Sequence, residues 1–136
     1  MNVYFNPRNG PRIAVEGQQL RRSQTQRPPD VEFRRDPKRE YYVVMYDNDA
    51  PNPAFLHLIM RVCYDAFYRV LVPYWPPTPP AGEHHTYTIL LLSGKVRPLS
   101  THFRVRLPSS REGFSIERFA HENDLDVETQ RTFTCG

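Results

Sequence analysis

Three runs of this chain are apolar, β-branched and aromatic without a polar residue at every second position: Tyr41–Tyr46, Phe55–Tyr64 and Thr86–Leu92. A strand with one wet face alternates, and a strand covered on both faces does not, so these read as central strands buried on two sides. Asp49-Ala50-Pro51-Asn52-Pro53 separates the first two, because proline cannot continue a central strand. Residues 72–82 separate the second and third as a Pro-rich loop, stiff because its prolines fix φ. Phe103–Leu107 alternates through Arg104 and Arg106 and reads as an edge strand. Ser115 is placed to cap a short helix over residues 116–123, with Ile116, Phe119 and Ala120 at core-facing spacing. Before residue 40 the chain is polar and broken by Pro7, Asn9-Gly10-Pro11, Pro28-Pro29 and Pro37. Its extended pieces, Asn2–Phe5 and Val31–Phe33, are expected to pair on sheet edges. The pattern predicts a mainly β fold: a largely antiparallel β-sandwich with a large central sheet, a smaller second sheet and one short helix near the C-terminus.

Composition narrows this picture. The 136 residues suit a single domain. Residues 1–40 would form an arginine-rich irregular arm with edge strands, 41–92 the central strands and their loops, and 93–136 an edge strand and the helix. Of 18 basic residues 16 are Arg, and residues 1–40 hold nine basic against five acidic side chains. Arginine-rich stretches grip acidic or nucleic-acid surfaces, here through residues 8–39. The interleaved Glu16, Asp30, Glu32, Asp36 and Glu40 argue against a purely nucleic-acid arm. No apolar run approaches the roughly 18 residues of a membrane helix, and Met1 opens no signal peptide. Cys63 and Cys135 cannot build a disulfide framework and suit a reducing, cytoplasmic compartment.

Four stretches place polar groups beside buried-looking sequence: Asp47-Asn48-Asp49-Ala50-Pro51, His57 within its apolar strand, the loop from Tyr74 to Gly82, and His84-His85-Thr86-Tyr87. An imidazole inside an apolar strand needs a hydrogen bond, since an unpaired buried polar group costs roughly 1–3 kcal/mol. A strand-terminal aspartate is its natural partner. Two histidines, a tyrosine hydroxyl and loop amides at one sheet end make a small anion or phosphate site. The aspartate argues against a bare anion pocket: it neutralises a histidinium or meets a cationic part of the ligand. Taken singly, each piece has a structural reading, from a satisfied core histidine to a turn, a solvent-facing His pair and a rigid linker. His102 and His121 have no supporting context. Asp47, His57 and His85 are metal-ligand types. No glutamate base adjoins them, no Gly-x-Ser-x-Gly elbow exists and neither cysteine is placed as a nucleophile, so no enzyme and no cofactor is expected.

In order, these stretches resemble the phosphatidylethanolamine-binding protein family, which includes the Raf kinase inhibitor proteins and plant flowering-time regulators. The family's strand and Asp-Pro-Asp-Ala-Pro signature reappears at Tyr42–Pro51, and its pocket histidine before an apolar run at His57–Met60. Its Tyr-x-x-x-x-Pro-Pro, Gly-containing bend and His-Arg-Tyr reappear at Tyr74, Pro79-Pro80, Gly82 and His85-Thr86-Tyr87. Weaker likeness spans residues 24–33 and 114–125. By position, the resemblance implies a ligand pocket of Asp47, His57, Pro79, His85 and Tyr87, walled by Ala50, Pro51, Phe55 and Tyr74. His84 competes with His85: an ungapped reading favours the former. The His-x-Tyr spacing favours the latter, since His85 and Tyr87 share a strand face. Asn48 replaces the proline between the aspartates, Pro76-Pro77-Thr78 replaces a Gly-containing phosphate loop, and Thr86 replaces an arginine. Those prolines bring no amide donors. The family's C-terminal helix has no counterpart before Gly136.

The resemblance implies a non-enzymatic binding module that holds a small anionic or phospho head group, as of a phospholipid, and regulates protein partners by association. The alternative is a structural or scaffolding component of a larger assembly with a vestigial pocket.

Overall fold

The computed structural model describes residues 1–62, 68–96 and 104–136. It contains β1 (Asn2–Phe5), β2 (Ile13–Ala14), β3 (Gln19–Leu20), β4 (Asp30–Glu32), β5 (Arg39–Asp47), β6 (Phe55–Val62), β7 (Tyr68–Val72), β8 (His85–Lys95), α1 (Ile116–Glu122) and β9 (Asp126–Cys135), with one 3-10 turn at Arg22–Gln24. Six strands form the large sheet in the order β3-β9-β8-β5-β6-β7, and three form the small one as β2-β1-β4. All neighbours are antiparallel except β3 and β9.

The large sheet is covered on both sides, which is why its inner strands carry no polar alternation. Tyr41, Val43 and Met45 of β5 join Val3, Phe5 and Val31 of the small sheet in one core. Tyr42 and Val44 join Phe114, Phe119 and Leu125 in a second core on the opposite face. Ser115 caps α1, its hydroxyl accepting from Arg118 N at 3.1 Å, and buried Phe119, flanked by Ile116 and Ala120, packs the helix on the sheet. Gly94 of β8 permits a close crossing: a Cβ there would lie 2.9 Å from the Asp124 carbonyl oxygen.

Several expectations are corrected. Residues 104–107 form no strand. The backbone of Arg106 is held instead by the Asn123 amide, which donates to its carbonyl at 3.1 Å and accepts from its N–H at 2.8 Å. A side chain at the helix terminus thus takes the bonds a sheet partner would have made; Phe103 lies outside the described residues. β1 is the middle strand of its sheet, because β2 covers its second edge. The strand expected at Val31–Phe33 spans Asp30–Glu32, and Phe33 leaves the ladder to pack on the Tyr41 ring with centroids 4.8 Å apart. β7 and β9 have no expected counterpart. Cys63, Tyr64 and His102 lie outside the described residues. Among the described residues, no helix is long and apolar enough to cross a membrane.

Candidate functional site

β5 and β8 are antiparallel, so the end of one meets the start of the other, and Asp47 pairs with Tyr87. The start of β6 lies alongside, with Phe55 opposite Asp47. The end of β5 and the starts of β6 and β8 therefore meet at one end of the large sheet.

The placement of His57 depends on a β-bulge. Tyr46 pairs with Leu56 and Met45 with Leu58, leaving His57 as the extra residue. A bulge re-aims side chains at the point of insertion. Leu56 faces the helix-covered core, Leu58 the opposite core, and the His57 ring lies on the Leu58 side against Tyr87 at 5.2 Å and Phe55 at 5.0 Å. Its expected aspartate partner is replaced by a backbone group. Nδ1 bonds the Trp75 carbonyl, and Trp75 N donates back to the His57 carbonyl at 2.9 Å. A carbonyl only accepts, so Nδ1 carries the proton. Burial pushes the His57 pKa below 6.5, outweighing the Trp75 bond and nearby Asp47. The ring is thus neutral at pH 7, and Nε2, which makes no hydrogen bond among the described residues, offers a lone pair.

Asp47 pairs with His85 instead. His85 Nδ1 donates to Asp47 Oδ2 at 2.6 Å, and both side chains are buried. His85 Nε2 lies 3.1 Å from Glu83 Oε2. Burial alone would lower the His85 pKa, but the bonds to Asp47 and Glu83 outweigh it and raise it above 6.5. A carboxylate on each nitrogen favours the imidazolium form of His85. His84 is exposed, its Nδ1 3.2 Å from Gln19 Nε2, so His85 is the histidine brought to this end of the sheet.

The turn after β5 is tied to β8. Asp47 Oδ1 accepts from Asp49 N at 2.8 Å, and Asp49 Oδ2 accepts from Thr86 N at 2.7 Å. Asn48 N donates to the Thr86 carbonyl at 3.0 Å, a bond that proline at this position would lack. Tyr87 stacks on Phe133 at 5.2 Å, and burial, with Asp47 nearby, pushes its hydroxyl pKa up. Ala50 and Pro79 are buried, whereas Pro51 is exposed. Tyr74 is half-buried, and its hydroxyl donates to the Thr25 carbonyl at 2.6 Å, so it braces the Pro-rich loop against the N-terminal segment.

Sequence reasoning missed three participants. Arg111 Nη1 reaches the Leu56 and His57 carbonyls at 3.0 and 3.4 Å, and Nη2 the Pro73 carbonyl at 2.7 Å. Its guanidinium lies 5.4 Å from the ring centroid of half-exposed Trp75. One side chain thus joins the bulge to the Pro-rich loop, and nothing in the sequence distinguishes it from fifteen other arginines. Trp75 stands inside the Pro-rich loop, and Glu83 falls between that loop and His84, outside both stretches. Among the described residues, no group of three His, Cys, Asp or Glu is arranged to hold a metal ion.

No family model matches the chain. It is 31% identical over 135 residues to Protein FLOWERING LOCUS T of Arabidopsis thaliana, covering 91% of this chain and 74% of that protein. It is 30% identical over 138 residues to Protein TWIN SISTER of FT from the same plant, covering 93% and 75%. Among solved structures, carboxypeptidase Y inhibitor complexed with its cognate proteinase superimposes with a TM-score of 0.74 at 19% identity, over 98% of this chain and 81% of that one. The phosphatidylethanolamine-binding protein from Plasmodium vivax gives 0.74 at 16%, over 98% and 83%. The structures share the fold and the plant relatives share the sequence: the chain belongs to the phosphatidylethanolamine-binding protein family.

Proposed function

We propose that this protein is a non-enzymatic binding module that takes a small phosphate-bearing group at the Asp47–His57–His85 end of the large sheet and acts by associating with other proteins. The observation that carries the reading is a pair of unlike imidazoles at one sheet end. His85 is charged and oriented by Asp47, while neutral His57 leaves Nε2 open. A charged N–H donor and a lone-pair acceptor together suit a partly protonated phosphate or a phosphate joined to an amine. The rings touching His57 are Phe55 and Tyr87, and neither provides an activated nucleophile beside it. Cys135 is buried, with its thiol pKa raised by burial, so it does not supply a thiolate. Two of the similar structures support the two halves of this reading by what they are: one is named for phosphatidylethanolamine binding and the other was solved with the proteinase it inhibits.

The test is a thermal-shift titration with phosphoethanolamine and with inorganic phosphate, on wild type and His57→Ala/His85→Ala. A ligand at about 100 times its Kd adds about 2.7 kcal/mol to the folded state, a rise of roughly 10 °C for a domain of this size. A rise confined to wild type is expected. No rise in a folded wild-type protein overturns the reading in favour of scaffolding, where charge reversal at Arg21, Arg22, Arg34 and Arg35 would disrupt association and pocket changes would not.

A further inference from the structure

The acceptor on the outer nitrogen of His85 is part of the protein itself. A turn returns the chain at this point: Glu83 N donates to the Pro80 carbonyl at 3.0 Å, and Gly82 takes φ +82°. That positive φ favours glycine. The turn delivers the Glu83 carboxylate to His85 Nε2 at 3.1 Å, while the opposite nitrogen is committed to buried Asp47 at 2.6 Å. The two carboxylates differ in burial: Asp47 is 6% exposed and Glu83 is 56% exposed. Asp47 is therefore a fixed support and Glu83 a displaceable one. Any anion that approaches His85 from solvent meets Glu83 on the nitrogen it needs.

We propose that Glu83 is a built-in competitor for the pocket, holding the outward N–H of His85 in the ligand-free protein so that a phosphate enters only by displacing it. The inference rests on the proposed ligand reading and adds a specificity-determining residue to it. A bare phosphate must separate the Glu83–His85 pair and then share the His85 charge with Glu83 and Asp47. A phosphate joined to a primary amine offers the displaced Glu83 a new positive partner. Glu83 thereby selects against inorganic phosphate, which an unoccupied imidazolium would accept. The groups bonded to His85 are Asp47 from β5 and Glu83 from its own chain segment, with His57 of β6 close enough to interact electrostatically and Cys135 its register partner on β9. Glu83 alone combines negative charge, contact with Nε2 and exposure.

The test follows the histidine ring resonances during titration of wild type, Glu83→Gln and Glu83→Ala with inorganic phosphate and, separately, with phosphoethanolamine. Glu83 is exposed, so both variants are expected to fold. The expected result is a phosphate Kd lowered about twofold to fivefold in both variants, the scale of an ion pair with one solvent-exposed partner. The phosphoethanolamine Kd should be unchanged or raised, so the preference between the two ligands shifts, which a merely structural glutamate would not cause. Phosphate binding that is equal or weaker in both variants overturns the role of Glu83 and leaves the ligand reading standing. Absence of binding by either ligand to wild type and variants overturns both together.

Discussion

Two histidines at one sheet end are driven in opposite directions by their surroundings. Burial lowers the His57 pKa, and the carboxylates of Asp47 and Glu83 raise that of His85. A pKa raised on folding stabilises the native state fully below the unfolded value near 6.5, and that stabilisation is lost as pH rises through the native value. A lowered histidine pKa works the other way: it weakens the fold as pH falls below 6.5, because the unfolded ring protonates more readily. Ring titration by NMR should therefore place the His85 midpoint above 6.5 and that of His57 below it. The reverse order would refute the assigned pairings. Of this chemistry, the polar singularity of His57 in Phe55–Met60 was legible in sequence. Its partner was not, because a carbonyl eighteen residues away has no signature in the identity of Trp75.

At the scale of elements, the bulge and the Pro-rich loop form a unit joined by Arg111. Replacing Arg111 by Ala leaves three carbonyls without their cationic donor and should cost about 2 kcal/mol. Trp75 is the sole tryptophan, so its emission reports on the loop directly. Red-shifted emission with Arg111→Ala, partly restored by Arg111→Lys, is the expected outcome. Unchanged emission and stability would mean that the prolines alone hold the loop. Elements differ in how openly sequence declares them. α1 is announced by Ser115 and the spacing of Phe119, both local features. β9 is not, because most of its ten residues are polar or charged, and only pairing with β8 makes it a strand.

At the scale of the molecule, Phe133 joins the large and small sheets. It is fully buried, stacked on Tyr87 and edge-on to Phe5 at 5.3 Å. Phe133→Ala should lower stability by about 3–5 kcal/mol in urea unfolding. A loss under about 1 kcal/mol would show that the sheets do not depend on it. The two-sided burial of β5, β6 and β8 was written into their composition, since every position along them meets a core or a neighbouring strand. So was the family resemblance, because signatures are local strings. Tertiary structure alone decided that Asp47 serves His85, that a bulge turns His57 towards Tyr87, and that Arg111 and Glu83 reach the same end of the large sheet. Those outcomes depend on strand register and on where separate segments return in space, and register is settled by pairing across the sheet.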